Sequence, residues 1–129
     1  MMDTDKRWKA VGDVFVNKCL KLQPGEKLMI AQEEIETWPL ALATYEAAIK
    51  AGGFPQIQLK SAYLRHAFCK YGTEEQYSWM PGLEALSMDW ADAYVALRGG
   101  YSFSIFHDIP AEVLAKNMTA HGKISTLRW

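Results

Sequence analysis

The sequence predicts an α/β fold: a three-layer sandwich with a small, mostly parallel sheet of three to four strands and helices on both faces. Three observations carry this prediction. Strand-length apolar runs alternate with helix-length amphipathic segments along the whole chain, which is the pattern of βαβ units. Half of the 129 residues are hydrophobic, enough material for a real core. No internal repeat, low-complexity run or linker interrupts the alternation, so residues 1–129 read as a single α/β domain.

The elements follow in order. Trp8, Val11, Phe15, Cys19 and Leu22 recur at intervals of 3, 4, 4 and 3, one apolar helical stripe, and "QPGE" at residues 23–26 stops the helix. "KLMIAQ" is a first strand. The next helix takes Thr37 as its cap, Pro39 in its first turn and Gly52-Gly53 at its end. "FPQIQLKS" alternates apolar and polar residues as a second strand. "AYLRHAFCKYG" returns to helix with a Leu64, Ala67/Phe68, Tyr71 stripe, and Thr73 followed by Glu74, Glu75 and Gln76 opens another. Trp79, Leu83, Leu86 and Trp90 repeat at 4, 3 and 4, with Pro81-Gly82 breaking or kinking the segment. "ADAYVALRGG" gives the third strand, "YSFSIFHD" a loop, and "AEVLAKNMTAHG" after Ile109-Pro110 the last helix. The closing "KISTLRW" reads as strand four.

Bulk properties exclude several function classes. The net charge is −1 and no basic run occurs, so the cationic footprint of a nucleic-acid binder is missing. No stretch approaches the length of a membrane span, and the N-terminus has no signal-peptide core. Cys19 and Cys69 both lie in helical segments beside apolar residues, which suits unpaired thiols in a reducing cytoplasm. Five Trp, six Tyr and five Phe exceed what a small core needs, and Trp79, Trp90 and Trp129 near segment ends predict an oligomer.

Ligands of parallel α/β sheets bind beyond the C-terminal strand ends, here Ala31–Glu34, Lys60–Ser61 and Gly99–Asp108. The first such turn, "AQEEIET", holds no glycine and three carboxylates, and no phosphate-cradling motif occurs elsewhere. A nucleotide is therefore rejected. His66 and Cys69 are spaced to share a ligand on one helix, yet no second pair matches them, and a structural zinc needs four ligands. The same two residues are the only candidates for a Cys–His hydrolase. Glu33, Glu34 and Glu36 suit a substrate amine or simply a solvated helix start. The loop after strand three places Tyr101, Phe103, Phe106 and His107 where the sheet meets its ligand, and these residues, with Glu33 and Glu34, form the predicted substrate-binding set.

Several segments in fixed order carry a resemblance. "LKLQPGEKLMI", "YEAAIKAGGFPQIQL", "TEEQYSWMPGLEALSMDWADAYVALRG" and "GKISTLRW" together resemble the N-terminal domain of the thermophilic aminopeptidase family, the metal-dependent enzymes related to aminopeptidases T and S. Ring-opening dihydroxypyridine dioxygenases share that architecture. The resemblance implies that the catalytic divalent metal (zinc, cobalt or iron) is held by a C-terminal domain or subunit, with none bound by this chain. That partner is expected to begin just past Trp129. The implied role is to wall the substrate cleft and join a homo- or hetero-oligomer. The alternative is a stand-alone, non-enzymatic α/β module that binds a small ligand or a protein.

Overall fold

The computed structural model describes residues 5–100 and 103–125. The chain divides into two compact units. The first comprises the residues up to Lys60 with Ala91–Gly99, and the second comprises Ser61–Trp90 with the residues from Gly100 on.

The first unit contains α1 (Lys6–Val14), a π-helical turn (Phe15–Cys19), β1 (Lys27–Glu33), a 3-10 turn (Ile35–Thr37), α2 (Trp38–Lys50), β2 (Phe54–Lys60) and β3 (Ala93–Leu97). The three strands form one parallel sheet in the order β2-β1-β3. Central β1 pairs Lys27 with Phe54 and Glu33 with Lys60 on one side, and Leu28 with Ala93 and Gln32 with Leu97 on the other. Five of its seven residues are buried, which is why it reads as a continuous apolar run rather than an alternation. Leu28 and Ile30, wholly inaccessible, meet Val16, Ala41, Ala47 and Ala48 of the helical layer in one aliphatic core.

Local chemistry sets the ends of these elements. At the start of the sheet the Lys27 amide donates to the Asp92 carboxylate at 2.9 Å, and the Asp92 amide returns a bond to the Lys27 carbonyl at 2.8 Å. Helix α2 ends as expected: the Gly53 amide reaches the Ala48 carbonyl and the Gly52 amide the Ile49 carbonyl, both at 2.9 Å, closing a Schellman motif. Thr37 occupies the cap position of α2, but its side chain makes no capping bond. Its hydroxyl donates backwards to the Glu34 carbonyl at 2.9 Å, tying the helix to the strand end instead. The apolar stripe expected on α1 is rotated. Trp8 and Val11 are exposed while Gly12 is buried, because a Cβ at Gly12 would stand 2.8 Å from the Ala43 backbone. The helices cross where only a hydrogen fits.

The second unit contains α3 (Ala62–Tyr71), α4 (Glu74–Tyr77), α5 (Gly82–Trp90), a 3-10 turn (Phe103–Phe106) and α6 (Ala111–Ser125). Thr73 and Gln76 form the reciprocal capping box that the sequence announces. Pro81-Gly82 does separate two helices, with α4 ending at Tyr77 and α5 starting at Gly82. The core here is small: Cys69, Phe106 and Ile109, with Ala62, Ile105, Val113 and Leu114 around them. Fully buried Asn117 on α6 donates to the Tyr77 carbonyl at the end of α4 at 3.0 Å.

The expected fourth strand is corrected in part. Lys123–Ser125 belong to α6, which runs through Gly122. Asn117, Ala120 and Ile124 are all buried, and this helical spacing outweighs the roughly 1 kcal/mol that an interior glycine costs. The remainder of that segment, 126–129, lies outside the described residues.

Candidate functional site

The carboxyl edge of the sheet belongs to the first unit. There Glu33 ends β1, and its carboxylate lies 3.6 Å from Nε of Arg98, which follows β3. Arg98 is mostly exposed, so this ion pair contributes little to stability. Glu34 is different. It is 5 % exposed and has φ 70° and ψ 152°, a backbone region that strains any residue but glycine by about 1–3 kcal/mol. The surrounding bonds hold it there. The Glu34 amide donates to the Lys60 carbonyl at 2.7 Å, and the Glu34 carbonyl accepts from the Thr37 hydroxyl. Gly99 lets the chain after β3 press against this corner, since a Cβ there would be 2.7 Å from both the Glu33 carbonyl oxygen and the Glu34 Cβ. The sheet thus presents one partly exposed and one buried carboxylate, side by side in sequence, at a strained strand end.

The aromatic loop belongs to the second unit. Tyr101 lies outside the described residues, and Phe103 is described only as the first residue of the 3-10 turn. Phe106 is buried in the small core, its ring centroid 6.3 Å from that of His66, so it anchors the loop from beneath. His107 is exposed. Its Nδ1 lies 2.8 Å from the Ser104 carbonyl oxygen, and because a carbonyl only accepts, Nδ1 donates. In the neutral imidazole that leaves the lone pair on Nε2, the state that accepts a proton or a hydrogen bond.

Asp108, adjacent to His107, clasps the loop to α3. One carboxylate oxygen is 2.8 Å from Nε2 of His66, and the other is 3.3 Å from Nζ of Lys70, one helical turn further on. The hydrogen bond from His66 is the main reason that the Asp108 carboxyl titrates at about 2 rather than near 3.8; burial opposes it, and the Lys70 bond adds a smaller lowering effect. Sequence reasoning took Asp108 as the end of the loop and missed this role. The usable signal was the i, i+4 pair His66 and Lys70 on a helix, which presents two donors on one face.

The clasp also settles what His66 and Cys69 can do. His66 is committed to Asp108 through Nε2, while Cys69 is 5 % exposed and its thiol is pushed up by burial, an effect that Arg65 only partly offsets. A buried, protonated thiol is not an activated nucleophile. Among the described residues no three His, Cys, Asp or Glu side chains gather as a metal site would require. A depression of about 300 Å³ lined by Ser78, Lys116, Thr119 and Lys123 contains none of the predicted site residues.

A parallel three-stranded α/β sheet with an acidic strand end, joined in sequence to a helical unit with a clasped loop, defines the class of the protein. The sequence matches the thermophilic metalloprotease (M29) family over residues 4–127. The chain belongs to that family. In structure it is similar to wild-type AmpT from Thermus thermophilus, with a TM-score of 0.76 at 16 % sequence identity. The similarity covers 95 % of this chain but 32 % of AmpT, so the chain spans about a third of that protein's length. No curated protein sequence matches it. No helix among the described residues is long and apolar enough to cross a membrane.

Proposed function

We propose that the chain is the N-terminal cleft-forming domain, or a separately encoded small subunit, of a cytoplasmic metal-dependent aminopeptidase-like enzyme. It supplies the substrate-contacting loop and a subunit interface, and the partner domain holds the divalent metal. The observation that carries this reading is the clasped loop. Asp108 ties it to His66 and Lys70, Phe106 plugs it into the core, and His107 stays exposed with a proton-accepting Nε2. A loop fixed at its base and titratable at its tip is suited to line a cleft.

In this reading His107 is the loop residue that meets substrate, and the assignment of Tyr101 and Phe103 to the same role rests on the sequence. The family match over nearly the whole chain, together with 32 % coverage of AmpT, supports assigning the metal chemistry to a larger partner portion. Both cysteines are free, in keeping with a reducing compartment.

Elemental analysis and zinc or cobalt titration of the purified chain test the division of labour. The expected result is no stoichiometric tight metal. A tightly bound equivalent of either ion contradicts the proposal.

A further inference from the structure

The three histidines of the chain differ in what holds them. His107 and His121 each direct Nδ1 at a backbone carbonyl oxygen, that of Ser104 at 2.8 Å and that of Asn117 at 3.0 Å. His66 instead directs Nε2 at the Asp108 carboxylate, 2.8 Å away. That carboxyl titrates at about 2, so at neutral pH it can only accept, and Nε2 carries the proton. In the neutral imidazole the lone pair therefore sits on Nδ1, to which no described residue hydrogen-bonds. The His66 side chain is 22 % exposed, which leaves the ring sheltered but within reach of a ligand. Buried Phe106 lies beside it, ring centroids 6.3 Å apart and planes inclined by 52°.

We propose that His66 is a proton-transfer residue at the base of the substrate-contacting loop, taking up a proton at Nδ1 while Asp108 holds Nε2–H. This rests on the reading above that the loop meets substrate. A carboxylate behind an imidazole fixes the ring and its tautomer, and its charge stabilises the cation that proton uptake creates. The carbonyls behind His107 and His121 orient a ring without supplying that charge. Hydrolysis of a peptide bond adds water across C–N, and one proton of that water must reach the leaving amine nitrogen. His66 accepts this proton at Nδ1 and returns it to the amine, ending neutral with Nε2–H still on Asp108. Holding the loop does not by itself call for an imidazole. Lys70 reaches the other Asp108 oxygen at 3.3 Å, and any N–H donor at position 66 would complete the clasp. The open lone pair on Nδ1 is what a histidine adds.

His66→Gln separates the two roles, because a glutamine amide can donate to Asp108 in place of Nε2–H but has no basic nitrogen. The chain and a separately expressed metal-binding portion of an M29 enzyme are mixed with zinc or cobalt. Hydrolysis is followed on a leucyl peptide and on leucyl p-nitroanilide. With the peptide, His66→Gln should lower kcat by about 100-fold and leave KM nearly unchanged. With the anilide, whose weakly basic leaving amine needs the proton less, the loss should be smaller. Circular dichroism confirms that the variant is folded. A second measurement needs no variant: imidazole ¹⁵N shifts of the wild-type chain at about pH 8, where an ordinary imidazole is neutral, should show His66 as the Nε2–H tautomer. An Nδ1–H tautomer overturns the proposal. So does a folded His66→Gln that is as active as wild type, or one that loses equally on both substrates; in either case the functional reading stands. If the wild-type mixture is no faster than the metal-binding portion alone, both fall.

Discussion

The two units use similar apolar periodicity to opposite ends. In the first, the residues of β1 and the small face of α2 close on each other, and Leu28, Ile30, Ala41 and Ala48 are fully inaccessible. In the second, the stripes expected on α3 and α5 face outward: Leu64, Tyr71, Leu83 and Leu86 are all at least 60 % exposed. Its core is held by Cys69, Phe106 and Ile109, with polar ties at Asp108, Asn117 and Lys116. Periodicity marks which face of a helix is apolar. It does not say what covers that face, and the difference between the units shows where the two questions separate.

The largest effect is expected at the centre of the first unit. Ile30→Ala removes a fully buried side chain beside Leu28 and Val16 and should cost about 2–5 kcal/mol in urea unfolding. Next is the helix crossing. Gly12→Ala drives a Cβ against the Ala43 backbone and should destabilise by about 1–3 kcal/mol.

In the second unit the effect is read against pH. Because the Asp108 carboxyl titrates at about 2 in the folded chain, its contribution to stability is present above its ordinary value near 3.8 and is lost as pH falls toward 2. An acid titration of unfolding should therefore show Asp108→Asn less stable than wild type at pH 6, with the gap closing below pH 4. A pH-independent gap would mean that the ion pairs with His66 and Lys70 do not hold the loop. The smallest effect belongs to the outward stripe. Leu86→Ser in the chain alone should change stability by no more than about 0.5 kcal/mol by thermal melting, although the residue is as apolar as Ile30.

Most of the fold was legible because strand and helix periods differ and the punctuation was chemically specific. The QPGE turn, the Gly52-Gly53 stop and the Thr73 capping box each satisfy backbone groups that those residue types satisfy elsewhere. Three features were not legible. The rotation of α1 depends on a hydrogen at Gly12 meeting a helix that is 31 residues away in sequence. The run after Gly122 has strand-like residues, but the buried helical face from Asn117 through Ile124 carries α6 onward. The positive φ of Glu34 comes from bonds to Lys60 and Thr37 and from the approach of Gly99, all long-range or post-turn effects.

For the candidate residues the sequence offered positions in the chain without their geometry. Strand ends pointed to Glu33, Glu34 and the loop, yet the clasp through Asp108 required knowing which helix the loop lies on.

The most direct test of the account is activity by reconstitution. The chain, a separately expressed metal-binding portion of an M29 enzyme and the mixture are each assayed on aminoacyl p-nitroanilides with added zinc or cobalt. The account predicts no turnover by the chain alone and metal-dependent hydrolysis by the mixture that exceeds the partner's own. Turnover by the chain alone, or a mixture no faster than the partner, would contradict it.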